Sequence, residues 1–362
     1  MKERYPRLEI NLAHLKDNVA RVVEMCGGYG IQVAGVIKGA TGDVEVAKAF
    51  DFGGAAFIAS SRLEQIEDAI DAGIEKKTIL IRVPMLSEVE DVIRLADISL
   101  NSELEVIKAL NEEAAYQGKL HKVILMADLG DLREGFWDKD ELADVAEYIE
   151  NKMINIQLVG IGTNLGCYGS ILPTADKLQE LVELAEYVEA RLGRELEYIS
   201  GGATSSLMRI MDGNIPKRIN LLRVGEGILI ARDLDVFYGY DLNGFHQDVM
   251  RLKAEVIEVK NKPSHPVGTI GVDAFGHKNE YVDRGMRKRA LLGIGKVDYG
   301  DWAELLPLEK GIEVLGASSD HTIIDIEDAE KDYKVGDIME FEVNYATLVY
   351  LSNCRNVQIA YV

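Results

Sequence analysis

The sequence Val33-Ala34-Gly35-Val36-Ile37-Lys38 is a short apolar run that ends on a lysine, and seven further runs of similar character follow it. The eight runs span residues 33–38, 55–60, 78–83, 96–100, 122–128, 157–163, 197–201 and 219–225. Segments with helical periodicity separate them, as at residues 61–72, 102–116, 140–151 and 174–192, and another at residues 12–26 precedes the first run. This alternation predicts parallel strands that are connected by helices.

Eight such strands predict an α/β fold with an N-terminal (β/α)8 barrel of the TIM type over residues 11–238, and an open doubly wound sheet is the alternative. After Tyr240 the strand-like runs are separated by turns, which predicts a C-terminal β-rich domain over residues 239–362. The strand-like residues 7–12 precede the first helix, so they can pair with this second domain. Candidate helix N-caps are Ser61, Ser102 and Thr174, and glycines near helix ends are Gly73, Gly118 and Gly193.

The composition restricts the partners and the compartment. The chain of 362 residues carries 61 acidic and 40 basic residues, and a net charge of −21 repels nucleic acid and anionic membranes. No apolar run approaches the ~18 residues that a membrane span needs. The three cysteines, Cys26, Cys167 and Cys354, have neither disulfide-framework nor metal-site spacing. We therefore expect a cytoplasmic protein that acts on a small molecule without a metal ion.

The segment Ser200-Gly201-Gly202-Ala203-Thr204-Ser205-Ser206 follows the seventh predicted strand. Active sites of barrel enzymes lie after the C-terminal ends of the strands, and the loop after strand seven often binds phosphate. Glycines and hydroxyl residues before a short helix offer backbone N–H groups to such an anion. A tight turn without a ligand is the ordinary alternative for this segment.

Lys38 ends the first apolar run, so we expect its amine to project into the mouth of the barrel. Loss of solvent there lowers the pKa of a lysine, and a lysine of this kind can form a Schiff base. A lysine that reaches from a strand end into water is the alternative. A phosphate-bearing aldehyde cofactor accounts for Lys38 and for the glycine-rich segment together.

The positions of Lys38, of Ser200 to Ser205 and of Leu222-Arg223-Val224-Gly225-Glu226-Gly227 resemble the fold-type III pyridoxal-phosphate enzymes, the alanine racemase family. The resemblance covers nearly the whole chain. Four longer motifs are most similar to those of ornithine racemases, at residues 128–135, 160–165, 287–290 and 316–321. The resemblance implies pyridoxal 5'-phosphate as the cofactor.

The resemblance also implies roles for individual residues. Lys38 is expected to hold the cofactor as an aldimine, with Arg223 at the pyridine nitrogen and Asn164 where alanine racemases usually have a histidine. The other expected cofactor-binding residues are Ser200, Gly202, Thr204, Ser205 and, from the second domain, Tyr345. The expected substrate-binding residues are Arg133, Asp320 and His321.

Arg223 favours racemisation because a guanidinium does not readily give up its proton, which leaves the pyridine nitrogen unprotonated. Decarboxylases and transaminases benefit from a carboxylate there instead. Racemisation needs two acid/base groups on opposite faces of Cα, and Lys38 can serve one face. For the other face the resemblance implies Tyr281, and Asp273 and His277 are further candidates.

We predict a racemase that interconverts L- and D-ornithine by a two-base mechanism. Gly42 stands where alanine racemases have a tyrosine, which indicates room for a longer substrate with a terminal amine. Family resemblance implies a homodimer with shared active sites. The alternatives are racemisation of alanine, lysine or another amino acid, and a pyridoxal-phosphate carrier without turnover, which the β-rich domain after Tyr240 disfavours. A metal-dependent hydrolase built on Asp128, Asp131 and His321 lacks the usual ligand spacing.

Overall fold

The chain divides into two compact units in a computed structural model that describes residues 3–278 and 280–362. One unit comprises residues 13–246, and the other comprises the N-terminal residues up to 12 together with residues 247–362. The sequence prediction places the boundary at residues 238/239.

The strands and helices follow one another along the chain in the order of their numbers. The strands are β1 (Arg7–Ile10), β2 (Gln32–Val36), β3 (Phe57–Ser60), β4 (Lys77–Leu80), β5 (Ile98–Asn101), β6 (His121–Ala127), β7 (Ile156–Thr163), β8 (Tyr198–Ser200), β9 (Leu221–Val224), β10 (Met250–Pro263), β11 (Met286–Leu292), β12 (Leu306–Pro307), β13 (Glu313–Ala317), β14 (Thr322–Asp325), β15 (Ile338–Glu342) and β16 (Gln358–Tyr361). The helices are α1 (Leu12–Gly27), α2 (Val44–Phe52), α3 (Leu63–Asp71), α4 (Val89–Leu95), α5 (Leu104–Gln117), α6 (Lys139–Lys152), α7 (Ala175–Leu192), α8 (Leu207–Met211), α9 (Glu226–Leu229), α10 (Asp233–Tyr238), α11 (Lys296–Tyr299) and α12 (Tyr345–Leu351).

Strands β2 to β9 form a closed barrel within the described part of the chain. Neighbouring strands are parallel, and β9 pairs with β2 to close the circle, with Gly35 opposite Val224. The predicted barrel is therefore confirmed over the open sheet. Its interior is filled by buried side chains from all eight strands, including Val36, Phe57 and Met126. The barrel is therefore a packed core, and functional residues are expected in the loops at its ends.

Helix termini agree with the sequence prediction in part. Thr174 caps α7, since its side chain accepts a hydrogen bond from Lys177 N, and Gly118 and Gly193 end α5 and α7 in the left-handed conformation. The predicted caps Ser61 and Ser102 are wrong, because α3 and α5 begin two residues later and their N-cap residues, Arg62 and Glu103, make no side-chain cap.

The second unit is built on an eight-stranded sheet in the described residues. Strand β1 lies between β10, to which it is antiparallel, and β16, to which it is parallel. The short helices α11 and α12 interrupt a region for which the sequence indicated only turns between strands. No helix in residues 3–278 or 280–362 combines the length and apolar character that a bilayer crossing requires.

Candidate active site

Lys38 is the first residue of a 3₁₀ turn, Lys38–Ala40, that begins two residues after β2. Its side chain is partly buried. Burial lowers the pKa of Lys38, and the positive charges of Arg133 and Arg223 lower it further, whereas negative charge at Cys167 and Glu134 opposes the shift. A lysine with a lowered pKa holds more of its amine neutral and nucleophilic near neutral pH.

Arg223 lies inside the barrel at the same end. Leu221 belongs to the interior cluster, and alternation along β9 turns Arg223 to the same side. Its guanidinium donates to Ser200 Oγ, to Thr163 O at 2.9 Å and to Asn164 Oδ1 at 3.5 Å. The side chain is 4% exposed, and burial lowers the pKa of Arg223 to about 10. Arg223 therefore stays protonated at neutral pH.

The glycine-rich segment after β8 forms a cradle. Gly202 has φ +106°, and a Cβ there would lie 2.8 Å from Ser206 Oγ. A Cβ on Gly227 would lie 2.9 Å from Thr204 Cγ2, and Gly227 N donates to Thr204 Oγ1 at 3.1 Å. The backbone N–H groups of Thr204 and Ser205 donate to no acceptor in the described chain. This geometry leaves donors available for a phosphate.

Arg133 lies in the loop after β6 and forms a bidentate ion pair with its neighbour Glu134, in which Arg133 Nη2 is 2.6 Å from Glu134 Oε1. The positive charges of Arg133 and Arg223 both lower the pKa of Lys38. The structure thus brings together Lys38, Arg133, Arg223 and Asn164, four of the residues predicted from sequence. Three cations at one barrel mouth favour anionic groups such as phosphate and carboxylate.

Sequence reasoning did not select Glu134 or Cys167 as site residues. The exposed thiol of Cys167 accepts a hydrogen bond from Asn164 Nδ2 at 3.0 Å, and Asn164 Oδ1 in turn accepts from Arg223 at 3.5 Å. Glu134 and Cys167 lie in the loops that follow β6 and β7, and that position was the available signal.

The remaining predicted site residues belong to the second unit. Tyr345 is the first residue of α12, and Asp320 and His321 are exposed in the turn between β13 and β14. Asp273, His277 and Tyr281 lie between β10 and β11. There the Asp273 carboxylate accepts hydrogen bonds from Phe275 N and His277 N, so this side chain stabilises its own turn.

Gly42 has φ +73°, and a Cβ at this position would lie 2.5 Å from Gln65 Cβ. A side chain there is therefore blocked by α3. The absence of a tyrosine at residue 42 reflects local packing, and the extra room expected from the sequence does not follow from this position alone.

Comparison with known proteins gives concordant matches. A family model described as the alanine racemase N-terminal domain matches residues 10–233. An ornithine racemase of Acetoanaerobium sticklandii is 43% identical over 346 residues, which cover 95% of this chain and 96% of the relative. A lysine racemase of Thermotoga maritima is 40% identical over 345 residues, covering 95% of each chain. The solved structure of an alanine racemase from Clostridium difficile 630 shares the fold, with a TM-score of 0.73, 21% identity and coverage of 100% of this chain and 97% of that one.

Proposed function

Because the chain belongs to the alanine racemase family, we propose that it is a pyridoxal-phosphate-dependent racemase whose preferred substrate is ornithine. The main support for the reaction class is Arg223, which is buried and protonated at the barrel mouth. Lys38 lies at the same mouth. The substrate class is supported by the two relatives with at least 40% identity, which are named as racemases of ornithine and of lysine.

The residues of the mouth fit pyridoxal phosphate. Arg223 Nε has no acceptor among the described residues, so its N–H is available for a ring nitrogen. Gly202, Thr204 and Ser205 would hold the phosphate, since a side chain at Gly202 would fill the cradle and two N–H groups there are unused. Lys38 would hold the aldehyde carbon. In this proposal Ser200 acts through Arg223, because the Ser200 hydroxyl accepts a hydrogen bond from the Arg223 guanidinium.

The chemistry that pyridoxal phosphate supplies when bound is an electron sink that makes the Cα–H bond of an amino acid acidic. Lys38 Nζ takes a proton from one face of Cα, and its lowered pKa keeps part of the amine unprotonated for this task. Arg133 binds the carboxylate and fixes the orientation of Cα. Arg223 keeps its own proton, which limits the electron sink and favours return of a proton to Cα over other outcomes.

A second group must serve the opposite face of Cα. We assign this role to Tyr281, with His277 and Asp273 as the alternatives, and we assign Tyr345, Asp320 and His321 to phosphate and substrate binding. These assignments, together with a homodimer with shared active sites and a cytoplasmic location, rest on family resemblance. The free state of Cys26, Cys167 and Cys354 agrees with a reducing compartment. Sedimentation at assay concentration tests the dimer, and a fully active monomer would refute it.

Chiral chromatography of ornithine, lysine, alanine and serine after incubation with the holoprotein tests the substrate. We expect the D- and L-forms of ornithine to interconvert fastest, with lysine next. Faster turnover of alanine would reassign the substrate. Bound cofactor without inversion of any of the four would instead support a carrier that holds pyridoxal phosphate without turnover.

A further inference from the structure

A racemase of ornithine must bind a terminal ammonium group that alanine lacks. An ammonium that leaves water needs a charged or hydrogen-bonding partner, because its loss of solvation is otherwise uncompensated. The proposed function therefore requires such a partner at the same barrel mouth as Lys38, and a carboxylate compensates the charge most completely. The described residues after β6 offer three candidates, Asp128, Asp131 and Glu134.

The loop that carries these residues is closed at its base. Asp128 N donates to Phe136 O at 3.0 Å, and Phe136 N donates to Met126 O at 2.8 Å. Asp128 Oδ1 accepts the N–H groups of Gly130 and Leu132 inside the loop. The Asp128 carboxylate thus stabilises the loop from within, and the backbone pairing of Phe136 fixes the C-terminal end of the loop.

Asp131 joins this loop to the one after β7. It is 1% exposed, and its carboxylate accepts the N–H groups of Gly166, Cys167, Tyr168 and Ile171 at 3.0 to 3.3 Å. A carboxylate with this many donors has no capacity for a ligand. Its role is to fix two adjacent loops, so that Arg133 and Glu134 are displayed on a rigid support.

Glu134 differs from both aspartates. Its side chain is 19% exposed, and among the described residues its carboxylate pairs only with the Arg133 guanidinium. It lies two residues before Phe136, whose backbone pairs with Met126 and Asp128 at the C-terminal end of β6, so it stands at the same end of the barrel as Lys38. In agreement with this position, the charge of Glu134 raises the pKa of both Lys38 and Arg223. A substrate with one carboxylate and one ammonium can exchange partners with this pair, so that no charge is left uncompensated.

We propose that Glu134 determines substrate specificity by binding the terminal ammonium of ornithine, while Arg133 binds the α-carboxylate. This inference rests on the proposed function. It assigns the preference for a basic amino acid to a single side chain in the described part of the barrel.

The test compares ornithine with norvaline, which has the same carbon chain without the terminal amine, in wild type, Glu134→Gln and the control Glu141→Gln. Glu141 is an exposed residue in the first turn of α6. We expect Glu134→Gln to raise KM for ornithine about tenfold to a hundredfold, the range for a hydrogen bond to a charged group. Norvaline turnover should fall by a much smaller factor than ornithine turnover, and all Glu141→Gln values should change less than about twofold. A parallel loss for both substrates, or no loss, would overturn the inference.

Calorimetric titration of the holoenzyme with DL-ornithine, which is already at its racemic equilibrium, separates this inference from the proposed function. Glu134-dependent binding of ornithine without racemisation would refute the proposed function and support the inference. Racemisation of ornithine with unchanged binding in Glu134→Gln would support the function and refute the inference. Failure of the wild type to bind ornithine would refute both.

Discussion

The Nη2 atom of Arg223 lies 2.9 Å from the backbone oxygen of Thr163, so an interior residue of β9 is fixed to the end of β7. Together with the hydrogen bond to Ser200 on β8, this contact holds a cation in one orientation inside the barrel. A planar guanidinium can serve several acceptors in this way, whereas a lysine ammonium on a flexible chain cannot.

Replacement of Arg223 by lysine should therefore lower kcat by at least about tenfold, with a smaller change in KM, because the lost contacts do not involve the substrate. Steady-state racemisation kinetics measure both values. Arg194→Lys is the matched control, since Arg194 is a surface residue paired with Glu150. Equal losses in the two variants would contradict the role given to Arg223.

Replacement of Gly202 by alanine should weaken pyridoxal-phosphate binding by about tenfold or more, because φ +106° is strained for alanine and the new Cβ would press on Ser206 Oγ. Equilibrium titration of the apoprotein followed by visible absorbance gives the affinity. Gly193→Ala is the control, since it also has positive φ but nothing within 4 Å of the added Cβ. Cofactor affinity in Gly193→Ala should stay at the wild-type value, and a loss there equal to that in Gly202→Ala would argue against the phosphate cradle.

A thiol reagent should modify Cys167 before the other cysteines, because its side chain is exposed. Burial raises the pKa of Cys26 to about 12, and burial also raises the pKa of Cys354, so both should react slowly. Peptide mass spectrometry after brief alkylation identifies the modified residue. Since Cys167 lies among Lys38, Arg133 and Arg223, activity should fall in step with its modification, and bound substrate should protect it. Inactivation at the wild-type rate in Cys167→Ser would exclude this explanation.

The stability of the barrel unit should depend on Glu226. Burial and, to a smaller extent, the charge of Asp233 raise the pKa of Glu226 to about 7. A carboxyl with a raised folded-state pKa contributes stability that is complete below about pH 4.5 and is lost as the pH rises through about 7. Glu226→Gln should thus leave Tm nearly unchanged at pH 5 and raise it at pH 8.

Glu189→Gln is the control with the opposite sign. Burial works against ionisation of Glu189, but hydrogen bonds from Arg218 and Leu196 N outweigh it and lower the pKa of this carboxyl. Its stabilising contribution is present at high pH and is lost as the pH falls. Glu189→Gln should therefore lower Tm more at pH 8 than at low pH, and the same sign of effect in both variants would contradict this account.

The sequence was sufficient for the barrel because parallel strands buried on both faces give continuous apolar runs, and each of the eight predicted runs overlaps a barrel strand. The placement of Lys38, Arg133 and Arg223 at one end of the barrel could be predicted, because Lys38 ends such a run, Arg133 follows one and Arg223 lies near the end of one. The selection of Glu134 could not be predicted. It depends on knowing which carboxylates already accept backbone N–H groups, and only the structure shows that Asp131 does so. The reason for a glycine at residue 42 could not be predicted either, since only the structure shows α3 against it.

The most direct test of the central claim is incubation of L-ornithine with the holoprotein in D2O, with the Cα–H signal followed by NMR and the enantiomers separated at intervals. We expect the Cα–H signal to disappear while D-ornithine rises to an equal mixture, and we expect Lys38→Ala to abolish both changes. L-ornithine that keeps its configuration and its Cα–H in the presence of cofactor-loaded wild-type protein would contradict the account.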